Sequence, residues 1–529
     1  MIQDLATVRT PDLPRDPVVV VGSGAAGIPL ALWLADHGHR VVLLESGGDV
    51  RGRGAVTESA DLNHGQVEGQ RYGGLVNGRA RVLGGATQLW VGQCMRLFDL
   101  DLRPRSWVPD SGWPLELADL EAGYAVAERF LDVSGKGYDE VRWTEWPALP
   151  PVAWNPDHLL HTFTEFSGRM HLGTAHRARM AQHENLWVVL HATASRVRVD
   201  GGRTTGVDVV STGGRTLSID ARTVVLAAGT IENSRLLQLS DPAGVGLGDG
   251  REHTGRYLQD HPVVHTAEVE PLDWTYLQDR YVGLRRSGRR LWPKVRLAAK
   301  AQEAYGLLDA AAVFQHSHDR TALDAVGRLA EALRDRRISE DASADVARAA
   351  GAVPALARAL YRRQVKGLQS AGGRPARVRL EVWVEQAPKR ERRVTLADSR
   401  DALGLRQPAV NWSCDAEELE TTRQLTRWIA EDLERLGIAR VRELPAMTDD
   451  EAWRDTVHDS FHPAGTTRMA DSPRRGVVDR DLRVHGVGGL YVVGGSVFPT
   501  SGYANPTLTI SALALRLAAH LDRAVRFPG

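Results

Sequence analysis

Only two cysteines, Cys94 and Cys414, occur in 529 residues. Two thiols build no disulfide framework, so a reducing, cytoplasmic setting is expected. Net charge is absent too: 66 basic residues balance 66 acidic ones. That balance argues against nucleic acid or an anionic membrane as the main partner and leaves local basic patches open. No apolar run approaches the ~18 residues of a membrane-spanning helix. Met1 to Pro17 is polar, without the apolar stretch of a secretory signal or a twin arginine. Internal repeats and low-complexity tracts are missing as well. What remains is 43% hydrophobic and 25% charged, the composition of a globular protein long enough for two or more domains.

What the chain does have is glycine in telling places. Pro17-Val18-Val19-Val20-Val21 is a continuous apolar run suited to a strand covered on both faces. Gly22-Ser23-Gly24-Ala25-Ala26-Gly27 follows at once, then a helical pattern from Ile28 that stops at Gly38. A second apolar strand, Arg40 to Leu44, ends in Glu45. Gly22 suits a tight turn, Gly24 lets the backbone approach a pyrophosphate, and Gly27 lets the helix pack close to the strand. Glu45 is placed to accept hydrogen bonds from ribose hydroxyls and argues against a 2′-phosphate. A dinucleotide site is therefore expected. The first motif alone does not separate NAD from FAD. Further glycine turns at Gly84-Gly85, Ala228-Gly229 and Gly494-Gly495 suit a long cofactor touched from many segments.

Short strands are expected at 187–190, 195–199, 206–210, 223–226, 378–384 and 393–396, with a turn entering a helix at Ala227 to Leu237. The C-terminal end carries two polar side chains in shape-determining surroundings. One is His462 in Phe461-His462-Pro463-Ala464-Gly465-Thr466, the other Asn505 in Ser501-Gly502-Tyr503-Ala504-Asn505-Pro506-Thr507. Between them, Gly489 to Ser496 reads as a buried strand ending in a glycine turn. The stretch 270–375 is rich in Ala and Arg, with Leu323, Val326, Leu329 and Leu333 at helical spacing and Arg334, Arg336, Arg337, Arg358, Arg362, Arg363 and Lys366 clustered. It reads as a pair of surface helices with solvated faces. A docking surface for a partner or a phosphorylated ligand is the sharper alternative.

These motifs, with Arg81 to Gly85, Gly112-Trp113-Pro114-Leu115, Gly255 to Pro262 and the segment from His462 to Leu521, resemble the glucose-methanol-choline (GMC) oxidoreductases, nearly end to end. Within that family the Ala-Gly-x-Ile-Glu-Asn and Asn-Pro-Thr-Leu-Thr runs look most like the pyranose oxidase and bacterial glycoside 3-oxidase branch. The resemblance implies an α/β fold: a Rossmann-like FAD-binding domain plus a substrate domain with a mostly antiparallel sheet flanked by helices. The expected boundaries are 1–265 mainly for FAD, with part of the cap at about 90–180. Residues 266–455 are mainly for substrate, with a helical insertion at about 320–370, and 456–529 complete the FAD domain.

The resemblance also implies FAD contacts at Gly22, Ser23, Gly24, Ala25, Ala26, Gly27, Glu45, Ser46, Arg81, Gly84, Gly85, Ala86, Trp90, Val197, Ala228, Gly229, Glu232, Gly495, Ser496, Asn505, Pro506 and Thr507. His462 is the implied base and Asn505 its partner on the alcohol, with hydride passing to flavin N5. The chemistry agrees, because an imidazole titrates near neutrality and a carboxamide does not. A helix from Pro506-Thr507 would face developing negative charge. His261 is expected at a structural position, His458 and His485 at the surface. Tyr503 is the expected stacking face for a sugar, ahead of Trp90, Trp113 and Trp383. Some pyranose oxidases bond flavin through a histidine just before a tryptophan; here Leu89 precedes Trp90, so FAD is expected to be non-covalent. The expected substrate is a sugar or glycoside hydroxyl, and the acceptor dioxygen or a quinone. The alternatives are a tailoring dehydrogenase for a glycosylated natural product such as an aminoglycoside, and a non-catalytic flavin protein. The intact His462 and Asn505 argue against the last. No metal site is expected.

Overall fold

The computed structural model describes residues 1–8, 11–51, 56–317, 357, 360–368 and 375–526. Val18–Val21 and Val41–Leu44 are strands with every residue buried. They lie in a six-stranded sheet with the spatial order Ile2–Asp4, Leu186–Leu190, Val41–Leu44, Val18–Val21, Thr223–Leu226, Leu490–Val492. Every neighbouring pair is parallel. A parallel sheet is covered on both faces, which is why its strands read as unbroken apolar runs. The helix Gly27–Asp36 is one cover, and Gly38, at φ +88°, turns the chain away after it. The last helix, Thr507–Arg526, packs on that helix and on Leu117–Leu131.

A second, eight-stranded sheet is antiparallel throughout. Its order is Ala439–Glu443, Val263–Pro271, Arg377–Val384, Ala310–Ser317, Arg289–Leu297, Leu159–Phe166, Gln93–Cys94, and Leu284–Arg286 pairs with Arg289–Leu297. Alternation governs it. In Arg377–Val384, Val378, Leu380, Val382 and Val384 enter the core. The helix Ala416–Arg435 covers that side with Leu425, Ile429 and Leu433. Glu381 and Trp383 fall on the opposite face. The expected α/β class, with a Rossmann-like unit and an antiparallel sheet flanked by helices, holds.

Cys94 and Cys414 are both buried and free. Among the described residues no helix is long and apolar enough to cross a membrane. Of the Ala- and Arg-rich stretch, Leu323, Val326, Leu329, Leu333, Arg334, Arg336, Arg337 and Arg358 lie outside the described residues. Arg362 pairs with Asp279, while Arg363 and Lys366 are exposed on the short π-helix Arg362–Lys366.

Candidate active site

The turn after Val18–Val21 is built by exclusion. Gly22 has φ +100°, and a Cβ there would stand 2.6 Å from the Ala227 carbonyl oxygen. A Cβ on Gly27 would stand 1.8 Å from the Gly22 oxygen, so only glycine lets the helix sit this close. Gly24 is the opposite case: no protein atom lies within 4 Å of a Cβ built on it. Its backbone faces open space at a helix N-terminus, the cradle a pyrophosphate needs. Glu45 closes the far end. It accepts from the Ser23 amide at 3.2 Å, from the Ser23 hydroxyl, and from the Gly47 amide at 2.9 Å. Burial pushes its carboxyl pKa up, against those hydrogen bonds and the charge of Arg81. These residues fit a dinucleotide whose ribose lies by Glu45.

Hydrogen bonds draw the other predicted segments to this turn. Gly84 donates its amide to Ser23 Oγ at 3.1 Å, and the Cβ position of Gly85 is 3.2 Å from Gly24 Cα. Arg81 donates to Ser46 Oγ at 2.9 Å. The Ala228 amide donates to Asn233 Oδ1 at 2.8 Å, and Asn233 Nδ2 donates to Ser496 Oγ at 3.0 Å. Thr230 Oγ1 donates to the Pro463 carbonyl at 2.6 Å, and Gly465 donates to the Gly495 carbonyl at 3.1 Å. Ser511 on the last helix donates to the Ala25 carbonyl at 2.9 Å. That helix begins at Thr507, directly after Pro506.

Three expectations need correction. Val197 lies inside the strand Thr193–Asp200, 1% exposed, and its amide is spent on Ser240 Oγ. The chain beside Glu45 is instead Ala192, whose amide donates to the Glu45 carbonyl at 2.8 Å. The Glu232 carboxylate is the hub of Arg79, Arg81 and Arg235, whose charges hold its pKa below the usual carboxylate range despite burial. Its side chain therefore serves a structural ion network. Tyr503 is fully buried, stacked on Phe98, with its hydroxyl donating to Thr162 Oγ1 at 3.1 Å. It is core and offers no free face to a sugar. Trp90, a further predicted contact, is half-buried with its indole N–H donating to the Met170 carbonyl, and Ala86 is exposed beside it.

The two C-terminal side chains meet a corner assembled from both sheets. Asp260 Oδ1 accepts the amides of His261 at 2.7 Å and His462 at 2.9 Å, while Oδ2 accepts the Tyr72 hydroxyl at 3.0 Å. Burial and the nearby Asp459 push the Asp260 carboxyl up to about 7. Phe461, just before His462, is held at φ +64°, a strained conformation for a bulky residue. His261 Nδ1 and His462 Nδ1 face each other at 3.0 Å. Burial, then the charges of His261 and Lys294, hold the His462 imidazole well below the ordinary histidine value. Burial and Lys294 bring His261 down to about 3.

Asn505 is 5% exposed and touches Lys294 Nζ at 3.4 Å through its Oδ1. The Trp383 ring lies 5.8 Å from the His462 ring and 5.2 Å from Lys294 Nζ. The loop carrying Asn505 is pinned by the other sheet: Gly502 donates to Glu385 Oε1 at 3.2 Å, and Glu385 is paired with Arg105 at 2.6 Å. An imidazole kept neutral, a carboxamide and an ammonium around one corner can take a proton and hold an oxygen.

His261, assigned above to a structural position, thus sits on His462. Lys294 was missed as a site residue, and Trp383 was ranked behind Tyr503. The signal for Lys294 was alternation: Leu291, Val295 and Leu297 are apolar, while Trp292, Lys294 and Arg296 occupy the other face of the same strand. His458 is exposed, and His485 donates to or accepts from nothing in this corner, its Nε2 lying 3.0 Å from the Ala470 carbonyl oxygen.

The sequence profiles of the GMC oxidoreductases match residues 65–263 and 388–514, together more than half of the chain, and that of an FAD-binding domain matches 17–60. Paromamine 6′-oxidase of Streptomyces fradiae is 25% identical, over 95% of this chain and 90% of its own. The 6‴-hydroxyparomomycin C oxidase of Streptomyces lividus is 25% identical over 96% and 92%. Among solved structures, formate oxidase superposes with a TM-score of 0.57 at 19% identity, covering 98% of this chain and 99% of that one. Pyridoxine 4-oxidase from Mesorbium loti does so with a TM-score of 0.55 at 18% identity, covering 96% and 99%. With the glycine cradle, the Glu45 terminus and the buried histidine corner in place, the chain belongs to the GMC oxidoreductases, FAD-dependent enzymes that act on the CH–OH group of alcohols.

Proposed function

We propose that this enzyme oxidises a hydroxyl of a sugar or glycoside to a carbonyl, with His462 as the base and Asn505 as its partner. Bound FAD supplies the two-electron acceptor that this oxidation requires. His462 Nε2 takes the O–H proton. Its depressed pKa keeps it unprotonated, and so able to accept, across the neutral range. Asn505 holds the same oxygen, which gains negative charge as the proton leaves. The start of the last helix at Thr507 places positive dipole next to Asn505. FAD is held without a covalent bond, because Leu89 offers no nucleophile. The parallel sheet and the last helix serve FAD, and the antiparallel sheet serves the substrate. The final acceptor is dioxygen or a quinone, and the two buried free thiols accord with a cytoplasmic setting.

The observation that carries this reading is the meeting of His462, His261 and Asp260 in one anchored corner. A second reading narrows the substrate to an amino sugar, such as an aminoglycoside. Glu381 sits on the site-facing side of the antiparallel sheet, accepting from the Trp383 indole at 2.8 Å and Gln315 at 3.1 Å. A carboxylate next to an indole suits an ammonium group on a sugar ring. The relatives named for paromamine and hydroxyparomomycin point the same way.

Anaerobic mixing of the holoenzyme with sugars, glycosides and aminoglycosides tests both readings through flavin bleaching. Bleaching by amino sugars alone, lost in Glu381→Gln, favours the second. No bleaching by any of them refutes the function. His462→Ala is expected to bind FAD normally and to be reduced at least about a hundredfold more slowly.

A further inference from the structure

Lys294 is 2% exposed, in the middle of the strand Arg289–Leu297. Its Nζ lies among aromatic faces, 5.2 Å from Trp383, 5.9 Å from Trp292 and 6.0 Å from Tyr503. Its hydrogen-bond partner is Asn505 Oδ1 at 3.4 Å. A buried ammonium is costly unless paired, and polar groups kept at such a cost cluster at functional sites. The charged and titratable groups that face it are Glu381, two strands over in the same sheet, and His261 and His462 from the opposite loops.

A carboxamide has one accepting end and one donating end, whereas an ammonium only donates. The end of Asn505 that faces Lys294 must therefore be its oxygen. The Nδ2 hydrogens are then turned away from Lys294, free to donate to an oxygen that is losing its proton. With the amide reversed, a carbonyl oxygen would meet that growing negative charge and raise the barrier. We infer that Lys294 is a positioning residue of the oxidation: it fixes the Asn505 carboxamide with its N–H groups toward the reacting oxygen. The inference rests on the reading of Asn505 proposed above.

Burial pulls the Lys294 ammonium down to about 7, against the charge of Glu381. The unfolded chain then binds the proton more tightly between about pH 7 and the ordinary lysine range. Lysine at this position therefore weakens the fold, most fully below about pH 7. A residue retained for packing would do the reverse.

The test uses the holoenzyme variants Lys294→Met, Asn505→Ala and the double variant, with stopped-flow flavin reduction by the best substrate. Lys294→Met is expected to keep its FAD spectrum and to melt at a higher temperature than wild type at pH 6. Its limiting reduction rate is expected to fall at least about tenfold with little change in substrate affinity. In the Asn505→Ala background the same substitution is expected to cost nothing further, because Lys294 acts through Asn505. NMR of the His462 ring in Lys294→Met should show its pKa rise, as a neighbouring cation is removed. Reduction at the wild-type rate in Lys294→Met, or losses that multiply in the double variant, would overturn the inference. If Asn505→Ala and His462→Ala are themselves reduced normally, it is the reading of the site that fails.

Discussion

His261 and His462 share a hydrogen bond between their Nδ1 atoms at 3.0 Å, and that contact decides which nitrogen of His462 is free. One of the two Nδ1 atoms must carry a hydrogen and the other must not. Ser460 assigns it: its hydroxyl donates to Asp260 Oδ1 at 3.2 Å, leaving its oxygen to accept from His462 Nδ1 at 3.1 Å. His462 thus carries its hydrogen on Nδ1 and presents a lone pair on Nε2. Removing His261 leaves this tautomer to Ser460 alone. His261→Leu is expected to slow flavin reduction about tenfold to a hundredfold with FAD retained. His261→Asn, whose carbonyl can accept from His462, should recover much of the loss. Equal rates for the two variants would count against the pairing.

The pH profile follows from the burial of His462. The base must be neutral to act, and its folded pKa lies well below the usual histidine value. The neutral form therefore persists as pH falls through the range where an exposed histidine protonates. The rate of flavin reduction should stay on its plateau through about pH 6.5 and fall only at lower pH. An acid limb at the ordinary histidine position would show that the base is another group or that substrate and FAD re-solvate the corner.

Gly24 and Gly27 separate cofactor binding from folding. A side chain on Gly24 meets no protein atom within 4 Å, and its backbone is not in the left-handed region. Gly24→Val should fold with an unchanged circular dichroism spectrum and bind FAD at least about tenfold more weakly. On Gly27 the added carbon meets the Gly22 oxygen at 1.8 Å, so Gly27→Ala should lower the melting temperature of the apoprotein as well. Tight FAD binding by Gly24→Val would place the pyrophosphate elsewhere.

Leu89 precedes Trp90 and is 44% exposed. It has no atom that can bond to a flavin. Acid precipitation should release all yellow colour to the supernatant, with no flavin mass on the pellet. Leu89→His tests whether the position alone suffices for a bond; the remaining attachment chemistry is not expected to be present, so the colour should stay soluble.

The Gly22-to-Gly27 turn, the acid at Glu45 and the last helix from Thr507 were all legible as spacing. Each is a local pattern of backbone freedom and apolar period, and such patterns survive without knowledge of neighbours. Tyr503 misled because an aromatic ring beside a site residue looks the same whether it lines a cavity or fills a core. Its burial comes from Phe98 and Thr162, hundreds of residues away in the chain. Val197 misled in the same way, since its amide is claimed by Ser240 on a different element.

The sequence by itself determined the cofactor chemistry and the family and singled out His462 and Asn505 as the proposed pair, because each rests on a contiguous motif. Only the tertiary structure decided what surrounds them. His261 meets His462 across the fold because Asp260 gathers both backbones. Lys294 meets Asn505 because strand alternation turns it from the helical side of its sheet toward the loop that Glu385 pins. Desolvation in that corner lowers the basicity of both histidines and the lysine. Desolvation is a property of the packed neighbourhood, and no spacing along the chain encodes it.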